Sequence, residues 1–108
     1  MNFYLSDSNG NIDPKSDNAY IPDFFVDFLF KSRDTLGFSL EVLFSVDPYE
    51  NVEITAISEL NNEVLQLINM PSHKVFSLYP YMIDELKKLN KYLTFAMQNE
   101  KSIVSVGD

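Results

Sequence analysis

Between Pro80 and Gln98 the apolar residues recur every three or four positions. Met82, Ile83, Leu86, Leu89, Leu93, Ala96 and Met97 fall on one stripe, and Asp84, Lys87, Lys88 and Lys91 on the opposite face. This spacing predicts an amphipathic helix over 80–98. Asp84 and Lys88 stand four apart with the acid first, an arrangement that adds about 0.2–0.5 kcal/mol. A stripe of this kind is stable only when a second apolar layer covers it. The rest of the chain must therefore supply that layer.

Two kinds of segment offer it. Over 19–34, Ile21, Phe24, Phe25, Phe28 and Leu29 again follow helical spacing. Asp17 or Asn18 is placed to cap the start, Pro22 is tolerable in a first turn, and Gly37 can close the far end. Val26 and Phe30 lie off the main stripe, so this helix is either sandwiched in the core or carries a contact surface. Over 38–46 the period changes to two: Phe38, Leu40, Val42, Phe44 and Val46 share one face, which predicts a strand. Asp47-Pro48-Tyr49-Glu50-Asn51 reads as a turn. Val52–Ser58 alternates again and completes an antiparallel hairpin. Glu63–Asn69 reads as a third strand, with a short helix as the alternative because Ile57, Leu60, Val64, Leu67 and Ile68 also fit helical spacing. Asn2–Leu5, Lys74–Leu78 and Ile103–Val106 read as short strands, the last at an edge. Ser6–Ser16 reads as a loop around a tight Asn9-Gly10 turn. The expected fold is α+β: an antiparallel meander of three to five strands packed against two main helices, about 19–34 and 80–98.

The 108 residues suffice for one core, so residues 1–108 are read as a single domain. The absence of cysteine excludes disulfides, thiolate catalysis and cysteine-ligated zinc. No apolar run approaches the roughly 20 residues of a membrane helix. Met1-Asn2-Phe3-Tyr4-Leu5-Ser6-Asp7 has neither a basic region nor a long apolar one, so a cytoplasmic location is expected.

The charge is −8 and unevenly spread. Residues 1–70 carry twelve acids and three bases; residues 71–108 carry four acids and five bases. Between Arg33 and Lys74 stand seven acids and no base. Such a surface repels phosphate backbones and anionic membranes, so neither nucleic acid nor membrane is an expected partner. It attracts a basic protein, with encounter sped by steering that fades with salt.

Motifs that fix a reaction are lacking. Asp7–Asp13 resembles a calcium loop, but Ile12 stands where an EF-hand needs Gly and Asn18 where it needs a bidentate Glu. His73 is the one histidine, and a lone histidine builds no multi-histidine metal site. Three glycines, at 10, 37 and 107, make no phosphate-cradling loop. Two carboxylate pairs are visible: Asp23 with Asp27, four apart on the first helix, and Glu41 with Glu53 across the expected hairpin. Both fall on expected outer faces, where a docking role is favoured over a catalytic one. No catalytic, cofactor-binding or metal-ligating residue is assigned, and no cofactor is expected.

These features point to a non-catalytic, protein-binding inhibitor. In size, acidity and lack of a catalytic motif the chain resembles bacterial toxin-immunity proteins. That likeness implies a basic toxin domain as partner, possibly a nuclease, whose active site is covered by an array of carboxylates. The expected contact residues are Glu41, Asp47, Glu50, Glu53, Glu59 and Glu63, with Tyr49 as an aromatic anchor at the hairpin tip. The alternatives are a structural or regulatory module that forms a homodimer, and a small enzyme or ligand-binding domain with an enclosed pocket.

Overall fold

The computed structural model describes residues 1–7, 11–12 and 17–107. The Asn9-Gly10 turn and most of the calcium-like segment lie outside the described residues. Among the described residues, the chain runs β1 (Asn2–Ser6), β2 (Ala19–Tyr20), α1 (Asp23–Lys31), a 3₁₀ turn (Arg33–Thr35), α2 (Glu41–Ser45), β3 (Val52–Ile54), α3 (Ile57–Ile68), α4 (Lys74–Leu78), α5 (Met82–Asn99) and β4 (Ser102–Val106). The fold is α+β, with four strands in the order β2-β1-β4-β3 and every pairing antiparallel.

The first and last strands pair at the centre of the sheet, from Asn2 opposite Val106 to Ser6 opposite Ser102. Strand β4 is thus a central strand, where an edge strand was expected. Phe3, Ile54, Ile103 and Ser105 are buried on the sheet's inner side. Helix α5 packs on β1, β2 and β4 and runs alongside α3. Its predicted stripe is the one that is buried: Met82, Leu86, Leu89, Leu93 and Ala96. Met97 falls outside it, at 41% exposure. The helix ends on Glu100 in a left-handed conformation (φ 53°), with the Lys101 N–H closing onto the Ala96 carbonyl at 3.0 Å.

Helix α1 starts later than its spacing suggests. Ala19 and Tyr20 pair with β1, and the Ile21 N–H donates to the Met1 carbonyl at 2.9 Å. Pro22 is the extended N-cap residue. A residue before proline is disfavoured in the α region, so Ile21 stays extended and the helix opens at Asp23. Phe25 and Leu29 are its buried pair. Phe25 lies 6.2 Å from the Phe76 ring and 6.2 Å from the Tyr79 ring, and Tyr79 also meets Phe28 at 6.3 Å and Phe24 at 5.0 Å.

Three segments expected as strands are helices. Residues 38–46 do not form the first arm of a hairpin; Glu41–Ser45 is α2. The buried residues there are Leu36, Leu40, Leu43 and Val46, a spacing of three and four that coexists with the alternating one. Residues 52–58 divide into β3 and the start of α3, and β3 pairs with β4. Residues 63–69 belong to α3 and its cap, so the helical alternative holds there: Leu60, Val64 and Leu67 face the core. Residues 74–78 form α4, whose N-cap is His73. Without the hairpin, Glu41 and Glu53 are not cross-strand neighbours.

Candidate protein-docking groove

Glu63 shows how local folding allocates the acids. Helix α2 begins at Glu41, after the N-cap residue Leu40, whose side chain supplies no cap. Its second and third N–H groups, those of Val42 and Leu43, instead donate to Glu63 Oε2 and Oε1, both at 2.9 Å. Glu63 is 7% exposed, on the face of α3 that packs against α2. Its two oxygens do what an N-cap side chain would do, from another helix. The expected contact role of Glu63 is therefore corrected: the residue is buried and its carboxylate is occupied.

The other expected contact residues are exposed, but on separate elements. Glu41 opens α2, Glu53 lies on β3, and Glu59 sits in the first turn of α3. Asp47 and Glu50 flank Pro48 and Tyr49 in the segment between α2 and β3. Asp47 Oδ1 accepts the Tyr49 N–H at 2.8 Å, a local turn that sets the course of this segment.

Tyr49 is the expected residue that the fold places in a site. It is 74% exposed and forms one wall of a groove of about 440 Å³. Asp23, Phe24, Asp27 and Phe30 of α1 and Phe44 of α2 line it as well. Phe24 and Phe30 are 49% and 45% exposed, large apolar surfaces for residues of a small domain. Phe30 is held edge-on to Phe44, with ring centroids 5.3 Å apart. The guanidinium of Arg33 lies 4.1 Å over the Phe30 ring and donates to the Phe30 carbonyl at 2.7 Å.

Charge among the lining residues comes from Asp23 and Asp27 of α1 and from Met1, whose N-terminal ammonium donates to the Ile21 carbonyl at 3.0 Å. Asp27 pairs with Lys31 at 3.1 Å, with both side chains mostly in solvent. Asp23 differs: its Oδ1 is buried and accepts no hydrogen bond. A buried carboxylate oxygen without a donor is uncommon, because its lost hydration goes uncompensated. The Asp23–Asp27 pair and the off-stripe Phe30 were the signals in the sequence. Phe24 and Phe44 escaped notice as site residues because they read equally well as core.

The segment carrying Tyr49 is braced by the end of the chain. The Gly107 N–H donates to Asn51 Oδ1 at 3.2 Å. A Cβ at Gly107 would stand 2.3 Å from the Tyr49 carbonyl carbon and 2.4 Å from the Glu50 nitrogen. Glycine is thus required where β4 leaves the sheet beneath the Tyr49 wall.

A second polar cluster lies across the molecule. Lys88 Nζ contacts Asp17 at 3.5 Å, Glu85 at 3.6 Å and the Asn18 carbonyl at 3.2 Å, while Glu85 Oε2 accepts the Tyr20 N–H at 2.9 Å. The Tyr92 hydroxyl, hydrogen-bonded to Asp17, lowers the Asp17 carboxyl below its ordinary range, helped by the Asn18 N–H. Burial and the facing carboxylate push the Tyr92 hydroxyl up to about 12. These groups fasten β2 to α5. His73 is structural as well: its Nδ1 accepts the Val75 N–H at 3.1 Å at the start of α4. Among the described residues, no three His, Asp or Glu side chains converge as a metal site requires, and no helix is long and apolar enough to cross a membrane.

Comparison with known protein families, characterised proteins and solved structures found no match to this chain.

Proposed function

We propose that this is a non-catalytic, cytoplasmic protein-binding inhibitor that docks a basic partner through the groove between α1 and the Tyr49 segment. In kind it would be an immunity protein or antitoxin, with a basic toxin domain such as a nuclease as its target. The observation that carries the reading is the composition of the groove: three exposed aromatic rings beside two carboxylates. Aromatic anchors of this type concentrate binding energy at protein interfaces. The charge of −8 would steer a cationic protein toward the groove and keep nucleic acid away. Covering an active site by such a surface needs no catalytic residue of its own.

The test is capture followed by reconstitution. Tagged protein is used to draw partners from the source cell's lysate at about 0.15 M and again at about 0.5 M salt, since the screening length shortens from ~8 Å toward 3 Å over the range up to 1 M. The expected result is one stoichiometric basic protein. Its purified activity should fall to background at one equivalent of inhibitor, and Tyr49→Ala should weaken that inhibition. A partner whose activity is unchanged at saturation would refute the inhibitory role. Mass rising with concentration, with no basic partner, would favour the homo-oligomeric alternative.

A further inference from the structure

We propose that His73 is a proton-sensitive latch: its neutral imidazole caps α4 and holds Tyr79 against α1, and its protonated form loosens both. The latch does not depend on what the groove binds.

His73 is the N-cap residue of α4, and its Nδ1 accepts the Val75 N–H at 3.1 Å. An N-cap side chain satisfies one of the orphan donors at a helix start. Asn, Asp, Ser and Thr usually do this with an oxygen, which still accepts at pH 5. Imidazole accepts only while it is neutral. On protonation both ring nitrogens carry hydrogen, so Nδ1 would present a donor to the Val75 N–H. The new cation would also stand at the positive end of the helix. Histidine is the side chain whose ordinary titration falls between pH 5 and 8.

The surroundings offer the imidazolium no substitute partner. The acids on the elements that adjoin α4 in space or in sequence are Asp23 and Asp27 on α1, Glu59 and Glu63 on α3, and Asp84 and Glu85 on α5. Asp27 pairs with Lys31, Glu63 caps α2, and Glu85 holds Tyr20 and Lys88. Among the described residues, no carboxylate lies within ion-pair distance of His73. The first turn of α4 carries no acid, and Lys74 beside His73 is a second cation.

The cap reaches the groove through α4 itself. This helix has five residues, with Val75 and Phe76 buried in the core. Its C-cap residue is Tyr79, whose N–H donates to the Val75 carbonyl at 2.9 Å. The capped residue is therefore also the one that holds Tyr79. The Tyr79 ring meets Phe24, Phe25 and Phe28 of α1. Phe24 is both a neighbour of Tyr79 and part of the groove lining. Proton uptake at His73 is thus transmitted to the groove's edge.

The test is NMR of the isotope-labelled full chain between pH 8 and pH 5. His73 is the one histidine and the chain has no cysteine. Asp17 and Tyr92 are displaced away from this window, one below it and one above. The Val75 amide signal should follow the titration of the His73 ring. Its exchange rate, corrected for the intrinsic rate, should rise about tenfold from pH 8 to pH 5, the equivalent of a lost N-cap. The Tyr79 and Phe24 ring signals should move with the same midpoint, while the Leu89 and Leu93 amides of α5 stay still. In His73→Asn the cap does not titrate, so these signals and rates should remain near the parent's pH 8 values throughout. In His73→Ala the Val75 amide should exchange fast at both pH values. The Asn variant also separates His73 from the α-amino group, since α-amino groups titrate near the top of the same window. A Val75 amide indifferent to pH, or a pH dependence that survives in His73→Asn, would overturn the latch. So would Tyr79 and Phe24 signals that stay fixed while Val75 responds, or α5 amides that open together with α4.

Discussion

Replacing Glu63 by Gln tests whether a carboxylate on α3 is what holds α2 in place. Glutamine keeps the length and shape of the side chain. Its carbonyl can accept one of the two N–H groups now bonded to Glu63 at 2.9 Å. Its NH₂ must then face the other, donor against donor. Hydrogen bonds to charged groups contribute about 1.5–3 kcal/mol each, and a buried N–H left unpaired costs about 1–3 kcal/mol. The expected loss for Glu63→Gln is about 2–3 kcal/mol, and for Glu63→Ala, which abandons both N–H groups, about 3–5 kcal/mol. A domain of this size has roughly 5–15 kcal/mol in total. The Gln variant should therefore melt roughly 10–20 °C lower, at about 4–8 °C per kcal/mol. Urea unfolding followed by far-UV circular dichroism gives the free energy, and amide exchange at Val42 and Leu43 gives the location. Glu59→Gln, at an exposed position on the same helix, should stay within about 0.5 kcal/mol of the parent. If Glu63→Gln also stays within that margin, or if Val42 and Leu43 exchange at unchanged rates, the capping argument is wrong. A Glu63 that served as a contact residue would show the opposite pattern, with lost affinity and intact stability.

Gly107→Ala should force the Tyr49 segment away from the sheet, because its Cβ would lie 2.3 Å from backbone; a loss of about 1–3 kcal/mol and shifted Tyr49 and Glu50 amide signals are expected by denaturation and NMR. Ser105→Ala should be neutral or stabilising by about 1 kcal/mol, since the Ser105 hydroxyl is fully buried and has no partner; a clear destabilisation in urea would show that the hydroxyl is bonded after all. Tyr92→Phe should raise the Asp17 pKa toward the ordinary carboxylate value, read by NMR titration. Asp17 is depressed, so its contribution to stability is present above about pH 4 and fades as pH falls through its folded value. Tyr92 is raised, so its contribution is present below about pH 10 and fades as pH climbs toward about 12. Tyr92→Phe should accordingly cost the same at pH 6 and pH 8 and less at pH 3; a loss that persists undiminished at pH 3 would contradict the Asp17 pairing.

The parts of the fold legible in the sequence are those where one periodicity had no competitor. The α5 stripe is such a case, because no period-two reading accommodates Met82, Leu86, Leu89 and Leu93. Strands β1 and β4 are likewise short apolar runs with no helical partner residues nearby. Residues 38–46 were ambiguous in a way that local pattern does not resolve. Phe38, Leu40, Val42, Phe44 and Val46 alternate, while Leu36, Leu40, Leu43 and Val46 follow a helical path. The helical path is the one buried, and the deciding cap comes from Glu63, some 20 positions downstream. Tertiary context thus overrode a local preference. Of the second arm, 52–54 do form β3, while 57–58 open α3; for 63–69 the Asn61-Asn62 pair reads as a turn that interrupts the helical spacing, whereas Asn61 is buried within α3 with its Oδ1 accepting the Asn90 amide at 2.7 Å. Lys74–Leu78 failed for a simpler reason: five residues hold too little periodicity, and the His73 cap that starts α4 has no distinctive signature in sequence.

The candidate site was half legible for a related reason. Charge counting treated all seven acids between Arg33 and Lys74 as surface available to a partner. The fold assigns them different tasks. Glu63 is spent on α2, and Asp47 accepts the N–H of Tyr49. Glu41, Glu53 and Glu59 stand on three different elements and remain a diffuse source of potential, which governs encounter rates more than affinity. The groove's own carboxylates, Asp23 and Asp27, come from outside that stretch, on the helix whose apolar residues cover more than one face. That excess is what the sequence offered: Phe25 and Leu29 satisfy the core, so Phe24 and Phe30 are surplus to it and remain about half exposed beside a buried, unpartnered carboxylate oxygen. Under the proposed function, a helix that carries more apolar surface than its core can bury, beside two carboxylates, is what would distinguish a docking groove from an acidic surface serving only solubility.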